Sequence, residues 1–101
     1  MAVKIIWTNT AVLQRKKILA YWNNRNKSTT YSKKLIAEIK ERVQFLVLNP
    51  KIYKKTSFPE IRTSTLGHYN IFYKTNSKEL IVIAFWDNRQ NPRKLSEIFK
   101  K

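Results

Sequence analysis

The chain has 101 residues, enough for a single domain spanning 1–101 and too few for two. Its 21 Lys and Arg against 6 Asp and Glu give a formal charge of +15, with 43% hydrophobic and 13% aromatic residues, so it can build a core and will attract polyanions at a distance. The absence of cysteine excludes disulfides, thiolate metal sites and a thiol nucleophile, and one histidine excludes a polyhistidine metal site.

No apolar run approaches the roughly 20 residues of a membrane span. The apolar stretch near Met1–Trp7 is too short for a secretory signal, so the sequence reads as that of a cytoplasmic protein. Val3 to Trp7 is a short β-rich strand. Thr8, Asn9 and Thr10 offer N-cap oxygens for a helix from about Thr10 to Asn24, with Val12, Leu13, Ile18, Leu19 and Trp22 as its apolar positions. Ser28 or Thr29 caps a second helix reaching Leu48. Leu35, Ile36, Ile39, Val43, Leu46 and Val47 recur there at helical spacing, and Asn49-Pro50 stops it. The two helices form an antiparallel hairpin.

Beyond Pro50 the period changes to that of strands. Residues 51–59 form a basic loop, Glu60 to Thr65 a short strand, and Leu66-Gly67 a turn that uses the only glycine. His68 to Lys74 alternates, with Tyr69, Ile71 and Tyr73 on one face. A hairpin loop at 75–78 leads into Glu79 to Trp86, whose nearly continuous apolar run suits a central strand covered on both sides. Asn91-Pro92 then reads as an N-cap with Pro at the first helical position, opening a short helix with Leu95, Ile98 and Phe99. The expected fold is α+β: β-α-α-β-β-β with a helical hairpin packed on a small antiparallel sheet, and a short C-terminal helix.

The six acids are scattered, which leaves no convergent carboxylates for a two-metal nuclease, and no metal or cofactor is expected. His68, beside the glycine, has the pKa range of a general base but reads as a surface residue. The cations are more informative. Lys51, Lys54 and Lys55 crowd the loop before the second strand, Arg62 lies on that strand, and Arg89 and Arg93 follow the most apolar strand. In an antiparallel sheet the ends of these elements can converge on one concave face. A metal-free ribonuclease needs a base for the 2′-hydroxyl and a cation for the phosphorane charge; a crowded lysine can supply the first and an arginine fork the second. Tyr53 and Phe58 in the basic loop are candidates for base stacking, whereas the strand aromatics Tyr69, Phe72, Tyr73, Phe85 and Trp86 read mainly as core.

The element order, Leu48-Asn49-Pro50, Ile61-Arg62, Gly67-His68-Tyr69-Asn70-Ile71-Phe72-Tyr73 and the tail from Phe85 to Arg93 together resemble the RelE/ParE superfamily of bacterial toxin–antitoxin toxins, over about residues 3 to 95. The resemblance implies a small cytoplasmic toxin neutralised by a cognate acidic antitoxin. RelE-like members cleave mRNA on the ribosome, and by that likeness Lys54, Lys55, Arg62 and Arg89 are the catalytic candidates, with Lys51, Tyr53 and Arg93 as RNA contacts. ParE-like members poison DNA gyrase instead. The chain departs from the RelE-like pattern in having no Tyr or His after Trp86. The expectations are therefore ribosome-dependent mRNA cleavage, alternatively gyrase inhibition, or a non-catalytic nucleic-acid-binding relative. Neither a membrane nor a small-molecule substrate is expected.

Overall fold

A computed structural model describes residues 3–53, 55–58, 60–90 and 92–99. Strand β1 (Lys4–Trp7) enters helix α1 (Asn9–Asn26), which turns into α2 (Thr30–Leu48); strands β2 (Arg62–Leu66), β3 (Tyr69–Thr75) and β4 (Glu79–Asp87) follow, then helix α3 (Pro92–Phe99). The four strands form one sheet in the order β1-β4-β3-β2. Strands β2, β3 and β4 are antiparallel neighbours as expected, but β1 pairs parallel with β4, from Lys4 opposite Glu79 to Trp7 opposite Val82. A parallel neighbour needs a long crossover, and the helical hairpin is part of the connection that supplies it.

Local chemistry explains the boundaries. Thr8 stands extended outside α1 and its hydroxyl accepts from the Ala11 amide, while Lys27 closes the helix in the left-handed region at φ 50°. At the start of α2 the Ser28 hydroxyl accepts from the Thr30 amide, and at its end the Asn49 side chain donates to the Phe45 carbonyl. Buried Ser32 pins the hairpin by donating to the Leu19 carbonyl at 3.1 Å and meeting the Asn23 side chain. Gly67-His68 is the two-residue turn between β2 and β3; Gly67 takes φ 62° with nothing crowding a Cβ there, so glycine serves the backbone and not the space. Pro92 opens α3 as expected, and its expected cap Asn91 lies outside the described residues.

The sheet separates two cores. Tyr69, Ile71, Tyr73, Leu80, Val82 and Phe85 meet Ala11, Leu35, Ile39, Val43 and Leu46 of the hairpin. On the opposite face Ile61, Phe72, Ala84 and Trp86 are covered by Phe58 and by Leu95, Ile98 and Phe99 of α3. The face that the sequence left open as a concave binding surface is thus roofed by α3, whose Phe99 ring meets Phe58 and Phe72 edge-on at 4.8 and 5.1 Å.

A β-bulge makes the two cores compatible. Phe72 pairs with Ala84 and the next residue, Tyr73, with Val82, so Ile83 is an extra residue in β4. Leu80 and Val82 face the hairpin before it, and Phe85 does so after it. The bulge frees polar groups that helix α1 satisfies: the Thr8 hydroxyl donates to the Ile83 carbonyl at 3.0 Å, and the Gln14 side chain accepts from the Phe85 amide at 2.9 Å. Thr8→Val removes the helix cap and the bulge contact together. It should lower unfolding free energy by about 2 kcal/mol, whereas Thr8→Ser should retain most of it, as read from urea midpoints.

Candidate functional site

The structure brings Lys51, Tyr53, Lys55 and Arg62 to one end of the sheet. Lys55 bridges Arg62 in an antiparallel backbone pair, which carries the loop back onto β2. The Arg62 guanidinium donates to the Tyr53 carbonyl at 2.6 Å and reaches the Lys51 carbonyl at 3.5 Å. Tyr73, directly opposite Arg62 in the register, donates its hydroxyl to the Pro50 carbonyl at 3.0 Å, and burial pushes its pKa up. The chain after α2 is therefore tied down by two side chains of the sheet. Lys51 and Lys55 are exposed; Lys54 lies outside the described residues. Tyr53 packs against the hairpin core and Phe58 against the α3 core, so neither stands free as a stacking platform.

Sequence reasoning passed over Arg42. From α2 its guanidinium donates to the buried Ser64 hydroxyl at 2.8 Å and to the Thr65 carbonyl, and it lies 5.9 Å from the Tyr53 ring centroid. Two arginines thus flank Tyr53 and staple β2 to its surroundings. Both spend their forks on neutral oxygens.

Arg89 lies at the other end. Its Nε and Nη2 donate to the two oxygens of Asp87 at 3.0 and 2.8 Å, and its backbone amide donates to the same carboxylate at 2.9 Å. Asp87 thereby caps the turn after β4. The bonds from Arg89 hold its carboxyl below the usual range, and His68 adds a smaller effect in the same direction. Asp87 pairs with Tyr69 and Arg62 with Tyr73, so the two arginines are anchored four residues apart along β3, or about 13 Å. Arg93, in the first turn of α3, is exposed. Among the described residues no three His, Cys, Asp or Glu side chains gather to hold a metal ion, and no helix is long and apolar enough to cross a membrane.

Two concavities flank α1. A groove of about 600 Å³ runs between edge strand β1 and α2, floored by Ile5, Trp7, Ile39 and Val43 and rimmed by Arg15 and Lys40. A smaller cup of about 330 Å³ is lined by Lys17, Ile18, Tyr21, Trp22, Tyr69, Asp87, Arg89 and Gln90. In the cup the Trp22 indole donates to the Tyr69 hydroxyl at 2.6 Å, and burial raises the Tyr69 pKa. The sequence signal for these surfaces was the placing of Trp7, Tyr21 and Trp22 among cations, which periodicity alone assigns to the core.

The sequence matches a family model described as the ParE toxin of the type II toxin–antitoxin system parDE, over residues 5–92. The fold is similar to that of a solved chromosomal ParDE toxin–antitoxin system from P. aeruginosa, with TM-score 0.71 and 19% identity, covering 84% of this chain and 95% of that one. None of the curated proteins matches.

The lowered Asp87 pKa makes one stability prediction. A carboxyl whose pKa is depressed on folding stabilises the fold above its ordinary value of 3.8 and loses that contribution as pH falls below it. Asp87→Asn should lower Tm at pH 7 by no more than about 5 °C, since Arg89 is exposed. The gap to the native chain should close by pH 2; equal gaps at both pH values would mean that the turn cap, not the ionised pair, carries the effect.

Proposed function

The chain belongs to the ParE toxin family of type II toxin–antitoxin systems, and we propose that it arrests growth in the cytoplasm by binding a protein target, DNA gyrase, and not by cutting RNA. The observation that carries this reading is that Arg62 and Arg89 are each engaged by protein oxygens at different ends of β3. Cleavage of RNA by cations needs a base and a charge-stabilising fork at one phosphate. Here one fork is held on backbone carbonyls beside the Tyr73 end of β3 and the other on Asp87 beside the Tyr69 end, across the strand between them. On this reading Arg62 and Arg89 are scaffold residues. Lys51, Lys55 and Arg93 are exposed, and on this reading they and Lys54 are the basic residues that meet the target.

The test pairs two assays on the purified toxin. Gyrase supercoiling should stop at near-stoichiometric toxin, while cell-free translation should continue with mRNA ends unchanged. Ribosome-dependent cleavage with normal supercoiling would instead favour the RNA-cleaving alternative, with Lys54, Lys55, Arg62 and Arg89 as its site.

The cognate antitoxin is the second partner of this reading, and we assign it the groove beside β1. Ile36 is 38% exposed at its edge, the floor is apolar, and the rim is cationic. An acidic segment with apolar anchors satisfies both demands. Ile36→Asp should weaken antitoxin binding at least tenfold, and Lys40→Glu should slow association several-fold with a flatter salt dependence, measured by biolayer interferometry. Unchanged kinetics in both variants would place the antitoxin elsewhere.

A further inference from the structure

The cup between α1 and the far end of β4 is unused by the reading above, and its chemistry is specific. The ring of Tyr69 is only 2% exposed and is stacked on Phe85 at 5.1 Å. Its hydroxyl accepts from Trp22, but its own proton meets no acceptor among the described residues. A donor left unspent at the wall of this open cup is available to an oxygen ligand that enters it. Lys17 is exposed on the same cup, and Arg89 commits only Nε and Nη2 to Asp87, leaving Nη1 to donate. Gln90 adds a side-chain amide that no described residue engages. The polar lining is therefore rich in donors, and Lys17 and Arg89 against Asp87 leave it one positive charge in excess, a composition that favours an anion.

The same lining carries aromatic rings from α1. Tyr21, 49% exposed, meets Trp22 at 5.1 Å with the rings 85° apart, so the two planes form a corner. Arg25 donates to the Tyr21 hydroxyl and lies over the Trp22 ring at 5.8 Å from its centroid, and Tyr31 meets the same ring at 4.8 Å, so Trp22 is already packed and Tyr21 is the more open ring of the corner. A flat heteroaromatic ring fits there by stacking on the exposed Tyr21 ring, with Trp22 beside it. The volume of about 330 Å³ is at the small end for a ligand site, right for one nucleotide and too small for two.

We propose that this cup binds a nucleoside 5′-phosphate, with the base stacked on Tyr21 and the phosphate on Lys17, Arg89 and the Tyr69 hydroxyl. The ligand is either a free mononucleotide or the 5′-terminal nucleotide of a strand; both present the same chemistry. The site is independent of the gyrase reading, since its test measures binding to the isolated toxin and not toxicity.

The experiment follows the Trp22 indole N–H resonance, assigned by its loss in Trp22→Phe, during titration with AMP, adenosine and inorganic phosphate. AMP should saturate the shift at least tenfold more tightly than either fragment. Lys17→Gln should weaken AMP about tenfold, and Tyr69→Phe about fivefold although it removes no charge. Lys16→Gln removes the same charge from the neighbouring position on α1 and should leave AMP binding unchanged. Arms with a 5′-phosphorylated and an unphosphorylated trinucleotide distinguish the sources: a gain over AMP with the phosphorylated strand identifies a strand end, and parity with AMP or weaker binding identifies the free nucleotide. Phosphate binding as tightly as AMP, or Lys16→Gln costing as much as Lys17→Gln, would reduce the effect to general attraction by a cationic surface and overturn the proposal.

Discussion

Thr8 and Gln14 hold the irregular peptide groups around Ile83, and through them they set the pleat of β4. A regular strand that faced Leu80 and Val82 to the hairpin would send positions 84 and 86 there too. Trp86 would then have to fit beneath the helices and Phe85 would lose its stack on Tyr69. With the bulge, Ala84 and Trp86 turn to α3 while Phe85 and Asp87 turn to the hairpin. That exchange places the Asp87–Arg89 pair beside Tyr69 and builds the far wall of the cup. One residue of slack in a central strand therefore fixes both cores and one concave surface.

The arginines show how a chain with a large positive excess can still use charge structurally. Arg42 and Arg62 each present a planar fork to several oxygens at once, a geometry that a lysine ammonium does not reproduce. Their partners are neutral, so the bonds stiffen β2 and the loop after α2 without neutralising any charge. Arg89, by contrast, finds a carboxylate in Asp87. The field of +15 is left almost intact at the surface.

Helix α2, the β2–β3 turn, the antiparallel pairs and the short α3 were legible because each rests on a local rule: apolar spacing, a glycine at positive φ, alternation, a proline at a helix start. The parallel docking of β1 was not, since nothing in Val3–Trp7 distinguishes its two possible directions. Nor was the bulge, because Glu79–Trp86 is apolar at nearly every position and any register buries it well. The candidate site was legible in composition and not in arrangement. The sequence showed Lys51, Lys55, Arg62, Arg89 and Arg93 as cations near strand ends, but the oxygens that capture Arg62 and Arg89 are set by tertiary packing. Tyr69 was seen as core, which its ring is; that its hydroxyl keeps an unspent donor follows only from the approach of Trp22 across 47 positions.

Helix α1 connects these features, and its weak amphipathicity has a use. Only Ala11 on it is fully buried, so most of the helix is free to furnish surfaces instead of core. Arg15 and Lys17 point about 200° apart around the axis: the first stacks over Trp7 at 4.4 Å and rims the groove, the second rims the cup. A segment seated between β1 and α2 therefore leaves the Lys17 side of the helix uncovered, and the charge there remains available to a second anion. Because screening confines exposed charges to about 8 Å at physiological salt, each surface acts on what is directly in front of it. General attraction brings acidic partners near; the apolar floor of one surface and the aromatic corner of the other decide what stays.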